Sequence, residues 1–141
     1  MRTVINSFEG DDRYLSNFAP SRVYLDKMWF DSVEEAYQAA KTLDLNARKL
    51  FQGVGPSRAK KAGKALALRP DWNDVKLGIM EDLLRQKFSD PDLKAKLLAT
   101  KDAELIEGNW WGDTFWGVCR GTGQNHLGKL LMKIRSELCD Q

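Results

Sequence analysis

The first thirty residues show the short apolar runs and turn residues of extended chain. Arg22–Leu25 and Met28–Phe30 flank Asp26-Lys27, a pattern that predicts a short hairpin. Thr3–Phe8 is also predicted to be extended. After residue 31 the apolar spacing becomes helical, and the predicted helices cover residues 33–43, 46–52, 57–68, 72–88, 91–99 and 127–138.

Polar residues and glycines mark the ends of these helices. Asp31 and Ser32 are both suitable N-caps for the first helix, because each is followed three residues later by a glutamate, Glu34 or Glu35. Gly53 is expected to end the second helix and Asp71 to cap the longest one. That longest helix has an apolar stripe formed by Trp72, Val75, Ile79 and Leu83. The stripe predicts that this face of the helix packs against the core.

Composition predicts one folded domain over residues 1–141. The chain has 43% apolar residues, a net charge of +2, and neither repeats nor a long linker. One histidine and two distant cysteines argue against catalytic zinc sites, common triads and a disulfide framework. The sequence has no signal peptide and no apolar run of about 18 residues, so we expect no membrane span and a cytoplasmic protein.

The segment GNWWGDTFWGVCRGTGQNHLG, residues 108–128, is unusual in composition. It contains six of the eleven glycines and three of the five tryptophans. Glycines allow close backbone approach and tryptophans offer stacking faces, so one interpretation is a ligand-binding loop with Asp113 between Trp111 and Trp116. The alternative is an aromatic plug that packs under a long loop. The glycines match neither GxGxxG nor a P-loop.

Two further segments carry candidate chemistry. Glu34, Gln38 and Lys41 share one face of the first helix, where Glu34 could form the wall of a pocket; the alternative is that the glutamates only complement the helix dipole. Residues 57–68 contain Arg58, Lys61 and two more lysines without an acidic residue, which could bind phosphate or form a solvated helix face.

Taken in order, several motifs along nearly the whole chain are similar to those of one family. They are LSNF at residues 15–18, SVEEAYQAAK at 32–41, DW at 71–72, LLAT at 97–100, DTFWG at 113–117 and GQNHLG at 123–128. With these motifs the chain resembles the YbiA-like, or NADAR, family. The resemblance implies an α+β fold, a single compact and mostly helical domain with a few short strands.

The resemblance also implies an activity. It indicates an N-glycosidase that hydrolyses a ribose C1–N bond with no cofactor and no metal. The implied substrates are phosphoribosylamino-pyrimidine intermediates of riboflavin synthesis or ADP-ribose attached to guanine in nucleic acid. The remaining alternatives are a non-catalytic module that binds ADP-ribose or NAD, and a nucleic-acid binder that uses the basic helix.

The expected site residues come from the matched motifs and from the basic segment 57–68. We expect catalysis by Glu34 and Asp113, whose roles are interchangeable at this stage. The residues expected to bind substrate are Asn17, Gln38, Lys41, Trp72, Trp116, Gly117 and Asn125, and those expected to bind phosphate are Lys41, Arg58 and Lys61. Many relatives have histidine where this chain has Glu35, whose added negative charge argues against a phosphate or proton-transfer role there.

Overall fold

The computed structural model describes residues 2–141. Contacts divide these residues into two compact units: the described residues through Ser16 together with Asp90–Gln141, and Asn17–Ser89. The assignment of one domain to residues 1–141 stays a prediction.

Short strands and six α-helices make up the described chain. In chain order the elements are β1 (Val4–Ile5), a 3-10 helix (Gly10–Leu15), β2 (Pro20–Leu25), β3 (Met28–Ser32), α1 (Val33–Ala39), α2 (Leu45–Lys49), α3 (Pro56–Gly63), α4 (Trp72–Lys87), α5 (Pro91–Ala99), β4 (Glu104–Leu105), β5 (Gly108–Asn109), β6 (Val118–Cys119) and α6 (His126–Cys139). The predicted α+β class, mostly helical with a few short strands, is confirmed.

The predicted hairpin is confirmed as the antiparallel pair β2–β3. Asp26 and Lys27 both have positive φ, at 47° and 70°, as the central residues of a type I′ turn require. Val23 pairs with Phe30, and both are buried. The hairpin therefore has one apolar face, and β3 leads directly into α1.

Helix α1 is short and fully buried. Of the two possible caps, Ser32 is the one used: its Oγ accepts the backbone N–H of Glu35 (3.1 Å). The helix ends at Ala39, earlier than the predicted residue 43, because the chain turns and the Lys41 carbonyl accepts the N–H of Arg69 (2.7 Å). Asp44 then caps α2 by accepting the N–H groups of Asn46 and Ala47.

One predicted cap is wrong. Asp71 precedes α4, but its carboxylate makes no hydrogen bond to that helix and instead pairs with Arg69, with Nε 2.6 Å from Oδ1. An arginine two residues away competes successfully for the carboxylate because the pair is bidentate. Buried residues of α4 still include Trp72 and Leu83 of the predicted stripe.

The other unit is built on α5, α6 and short parallel strand pairs. β1 pairs with β4, and β5 pairs with β6. Asp90 caps α5, as the sequence around Pro91 suggests. Arg135 of α6 is buried and donates from Nη1 to the Thr100 hydroxyl and the Ala103 carbonyl, both at 2.8 Å. No helix within residues 2–141 is both long and apolar enough to span a membrane.

Lys87, the last residue of α4, generates a prediction about stability and pH. Burial lowers the pKa of Lys87 to about 7. The unfolded lysine, with a pKa near 10.5, binds more protons between these values, so the stability of the wild type should rise with pH there, by at most about 1.4 kcal/mol per unit. Urea unfolding of wild type and Lys87→Met between pH 6 and 9 measures this effect.

The free energy of unfolding of Lys87→Met minus that of the wild type should decrease as pH rises through this range. Lys49→Met removes an exposed lysine and controls for the loss of charge. Parallel pH profiles for wild type and Lys87→Met would contradict the expectation.

Candidate active site

Glu34 is a buried carboxylate in the first turn of α1. Glu34 is 7% exposed. Its backbone N–H donates to the carbonyl of Asn17 (3.1 Å). Glu34 Oε2 accepts a hydrogen bond from Gln38 Nε2 at 2.7 Å. A neutral amide donor orients this carboxylate without neutralising it, and the helix N-terminus favours its negative charge. The predicted face of Glu34 and Gln38 is therefore a buried one.

Gly63, the last residue of α3, fixes the position of Gln38. A Cβ atom added at Gly63 would lie within 1.8 Å of Gln38 Oε1 and 2.7 Å of its Cδ. Only glycine allows α3 to pass this close to α1 while the amide keeps its place. The sequence does not reveal this role of Gly63, because the helical pattern is predicted to continue through it to residue 68 and a glycine within a pattern does not indicate what packs against it.

Glu35 differs from Glu34 although the two are adjacent. Both of its oxygens accept backbone hydrogen bonds: Oε1 from Asp31 (2.8 Å) and Oε2 from Gly55 (2.7 Å). Gly55 directly precedes α3. Glu35 therefore holds the start of α3 against α1, a structural role that the sequence did not reveal.

Lys41 lies half-buried after the end of α1. Burial lowers the pKa of Lys41; the charge of Glu34 opposes this shift, and Lys64, Lys76 and Lys60 add to it. Its Nζ lies 5.9 Å from the centre of the Tyr37 ring. The charge of Glu34 therefore acts on Lys41, although Lys41 lies beyond the end of α1 and not on the predicted helix face.

Two more residues predicted to bind substrate border this region. Trp72 is buried, with its ring centroid 5.1 Å from that of Tyr37. Asn17 Nδ2 donates to Met80 Sδ (3.5 Å), and Asn17 Oδ1 is buried without a hydrogen-bond partner. An orphan acceptor of this kind points to a donor that the protein itself does not provide.

The two residues predicted to bind phosphate on α3, Arg58 and Lys61, are exposed. Lys60, between them, is half-buried and has its Nζ 5.8 Å from the centre of the Phe18 ring. The lysines whose charges act on Lys41 include Lys60, not the two predicted residues.

In the other unit, Asp113 organises the tryptophan-rich loop. Its Oδ1 accepts hydrogen bonds from the backbone N–H groups of Phe115 (3.1 Å) and Trp116 (2.9 Å). The side chain of Asn109 accepts a hydrogen bond from the backbone N–H of Asp113 and donates one to its carbonyl. Trp116 is half-buried, with its ring centroid 4.9 Å from that of Phe115. One Asp113 oxygen is therefore committed to loop structure.

Asn125 and Gly117 also have structural contacts in this unit. Asn125 precedes α6 with a φ of 54°; its Oδ1 accepts the N–H of Glu107 and its Nδ2 donates to the Leu105 carbonyl, both at 2.9 Å. A Cβ at Gly117 would overlap Glu107 Oε2. Whether Asp113, Trp116, Gly117 and Asn125 contact substrate stays a prediction.

The predicted site residues fall into two sets. Asn17, Glu34, Gln38, Lys41, Arg58, Lys61 and Trp72 belong to one unit, and Asp113, Trp116, Gly117 and Asn125 belong to the other. In the part of the chain that the structure describes, no three His, Cys, Asp or Glu residues are grouped to hold a metal ion.

Gly63 provides a stability test of the contact between α1 and α3. Gly63→Ala should push Gln38 away and lower the free energy of unfolding by about 1–3 kcal/mol. Gly78→Ala is the matched control, because nothing lies within 4 Å of an added Cβ at this position of α4. The control should leave stability unchanged or raise it by up to about 1 kcal/mol. Equal urea midpoints for the two variants would contradict the contact.

Comparison with known proteins places this arrangement in a family. The chain is 37% identical to N-glycosidase YbiA of Escherichia coli, with 96% of this chain and 89% of the relative covered, and 34% identical to an N-glycosidase of Nostoc punctiforme, with 87% and 83% covered. It is also 34% identical to a riboflavin biosynthesis protein of Vibrio vulnificus, with 98% of this chain but 39% of that protein covered.

A solved structure agrees with the sequence comparison. The NMR structure of E. coli YbiA matches with a TM-score of 0.86 and 36% identity, over 99% of this chain and 88% of the other. The NADAR domain family model matches residues 6–139. The chain therefore belongs to the NADAR family.

Proposed function

We propose that this protein is an N-glycosidase that hydrolyses the bond between ribose C1 and a nitrogen atom, with Glu34 as its catalytic carboxylate. One observation carries the proposal: Glu34 is buried and held by the neutral Gln38 amide at 2.7 Å, with Lys41 in electrostatic range. The names of the E. coli and Nostoc relatives support the reaction class.

The reaction needs negative charge beside C1. Water attacks C1 as the C1–N bond breaks; the nitrogen leaves with the bonding electron pair and takes up a proton, and the water loses one. The transition state has positive charge on C1 and the ring oxygen. Glu34 stabilises that charge, and because Gln38 already fixes its carboxylate, little reorganisation is needed at the moment of reaction.

Asn17 is suited to orient the substrate. Its buried Oδ1 accepts from no group of the described protein, so a sugar hydroxyl or a base N–H can donate to it. The backbone of Asn17 is fixed by its bond to the N–H of Glu34, which ties this acceptor to the catalytic carboxylate. Asn17 therefore binds the sugar or the base edge in this proposal.

The substrate proposed first is a phosphoribosylamino-pyrimidine, because relatives in Vibrio and maize are named riboflavin biosynthesis proteins. The second candidate is ADP-ribose on a guanine of nucleic acid. It is favoured by the exposed Arg58 and Lys61 on α3, which could contact a phosphate backbone. Activity on such a polymer should fall steeply with salt, whereas activity on a single small substrate should fall less.

The neighbouring glutamates provide a matched test of the catalytic role. Glu34→Gln keeps the shape and an acceptor for Gln38 but removes the charge, so kcat should fall by about 100-fold or more. Glu35→Gln places an amide where two backbone N–H groups need acceptors, so it should lower stability while the folded protein keeps its turnover. Product release from both substrates, together with urea unfolding, measures the two effects.

The proposal requires that Glu34→Gln lose turnover while folded, and that Glu35→Gln lose stability but keep its turnover. Full turnover by a well-folded Glu34→Gln protein would refute the catalytic role. Binding of ADP-ribose without hydrolysis of either substrate by the wild type would instead identify a non-catalytic binding module.

A further inference from the structure

A cavity of about 660 Å³ lies beside the C-terminal ends of α5 and α6, within the unit that contains Asp90–Gln141. This volume is in the range of sites that hold small organic molecules. Leu98 of α5 and Met132 of α6 contribute apolar side chains to its wall, and its polar lining includes Arg135 and Ser136 of α6. The cavity therefore offers both an apolar surface and polar groups to a ligand.

Arg135 is charged and buried, unlike the other charged residues that line the cavity. It is 8% exposed, and its Nη1 donates to the Thr100 hydroxyl and the Ala103 carbonyl, both at 2.8 Å. The Thr100 hydroxyl in turn donates to the Leu97 carbonyl (2.6 Å). Because both acceptors follow α5 closely in the chain, the guanidinium is held in one orientation beside the end of that helix.

One edge of this guanidinium has no protein partner. Among residues 2–141, no group accepts a hydrogen bond from Arg135 Nε or Nη2, and no carboxylate lies within salt-bridge distance. Burial lowers the pKa of Arg135, and the charges of Asp102 and Tyr14 oppose this shift. An arginine stays protonated in a protein, so Nε and Nη2 present a fork of donors that matches the two oxygens of a carboxylate or a phosphate.

The charges around the cavity favour a ligand with one negative charge. Besides Arg135, the lining contains the ammonium group of Lys101 and the carboxylates of Asp102 and Asp140, and these three residues are exposed. Two cations and two carboxylates leave little positive charge to balance a phosphate monoester, which carries close to two negative charges at neutral pH. A carboxylate carries one charge and still fills the arginine fork.

The cavity is separate from three residues of the same unit that are predicted to contact substrate. Asn125 directly precedes α6, and the carbonyls of Trp116 and Gly117 accept backbone N–H groups at this start of the helix. Arg135 lies ten residues past Asn125, which corresponds to about 15 Å along the helix. A ligand of the cavity therefore binds beyond those residues.

We infer that this cavity binds a small organic monocarboxylate. Its carboxylate accepts hydrogen bonds from Nε and Nη2 of Arg135, and its apolar part packs on Leu98 and Met132. The inference goes beyond the proposed function and does not depend on it, because none of these three residues is expected to take part in the hydrolysis.

Three probes with the same six-carbon chain test the chemical class: hexanoate, hexanamide and hexyl phosphate. Each is titrated into the wild-type protein at constant ionic strength, and NMR follows the backbone amides and the Arg135 Nε–H group. Hexanoate should bind at least about tenfold more tightly than hexanamide and shift the signals of Arg135, Leu98 and Met132. Equal affinity of hexanoate and hexanamide, tighter binding of hexyl phosphate, or shifts confined to other residues would overturn the inference.

A variant that fills the cavity tests the location without changing Arg135. Ser136 and Ser57 are both exposed serines in helices, and of the two Ser136 lines the cavity. Ser136→Trp should raise the Kd of hexanoate at least about fivefold because the indole takes up the volume, whereas Ser57→Trp should change it less than about twofold. Equal effects of the two variants would place hexanoate elsewhere and contradict the inference.

Arg135→Lys tests the fork itself. Lysine keeps the positive charge but has one ammonium group in place of a rigid pair of donor nitrogens, so the Kd of hexanoate should rise at least about fivefold. Urea unfolding checks that the variant folds, because Arg135 also holds Thr100 and Ala103. If it does not fold, the three probes and the Ser136→Trp comparison still decide the inference. A folded Arg135→Lys protein that binds hexanoate as tightly as the wild type would overturn it.

Discussion

The close approach of α3 to α1 is the constraint on which the candidate site depends. Gly63 leaves room for the Gln38 amide, and Gln38 in turn holds the Glu34 carboxylate. At the other end of α3, Glu35 binds the N–H of Gly55. Helix α3 therefore contacts α1 residues at both of its ends.

Glu34 and Glu35 are adjacent in the sequence but differ in role, because their hydrogen-bond partners differ. Glu35 accepts two backbone N–H groups, which satisfy it and give it a structural role. Glu34 accepts a hydrogen bond from a neutral side-chain amide on the next turn, and a lysine charge is nearby. A buried carboxylate is costly unless hydrogen bonds or charges support it, and the Gln38 amide and the Lys41 charge give Glu34 such support.

Local signals explain what could be predicted from the sequence. The Asp26-Lys27 turn, the Ser32 cap and the Glu34–Gln38 pair depend on residues close along the chain, and the structure confirms them. Lys41 lies past the end of α1, so its predicted place on that helix face is not confirmed. Asp71 failed as a cap because Arg69 offered its carboxylate a better partner. The choice between these two partners is not visible in a capping pattern.

Contacts between distant residues could not be predicted. The role of Gly63 requires the path of α1, and the role of Glu35 requires the loop before α3, twenty residues away. The parallel pairs β1–β4 and β5–β6 are two residues long each, too short for any alternation to indicate them. Asp113 lies in the predicted loop, but the sequence does not indicate its hydrogen bonds to the loop backbone.

The central claim is that the side chain of Glu34 acts at the ribose C1 atom. A crystal structure of the Glu34→Gln protein with unhydrolysed substrate tests it most directly. The account predicts that an atom of the position-34 side chain lies within about 3.5 Å of C1 or of a water in line with the C1–N bond. A sugar bound elsewhere, with the position-34 side chain still hydrogen-bonded to Gln38 and away from C1, would contradict it.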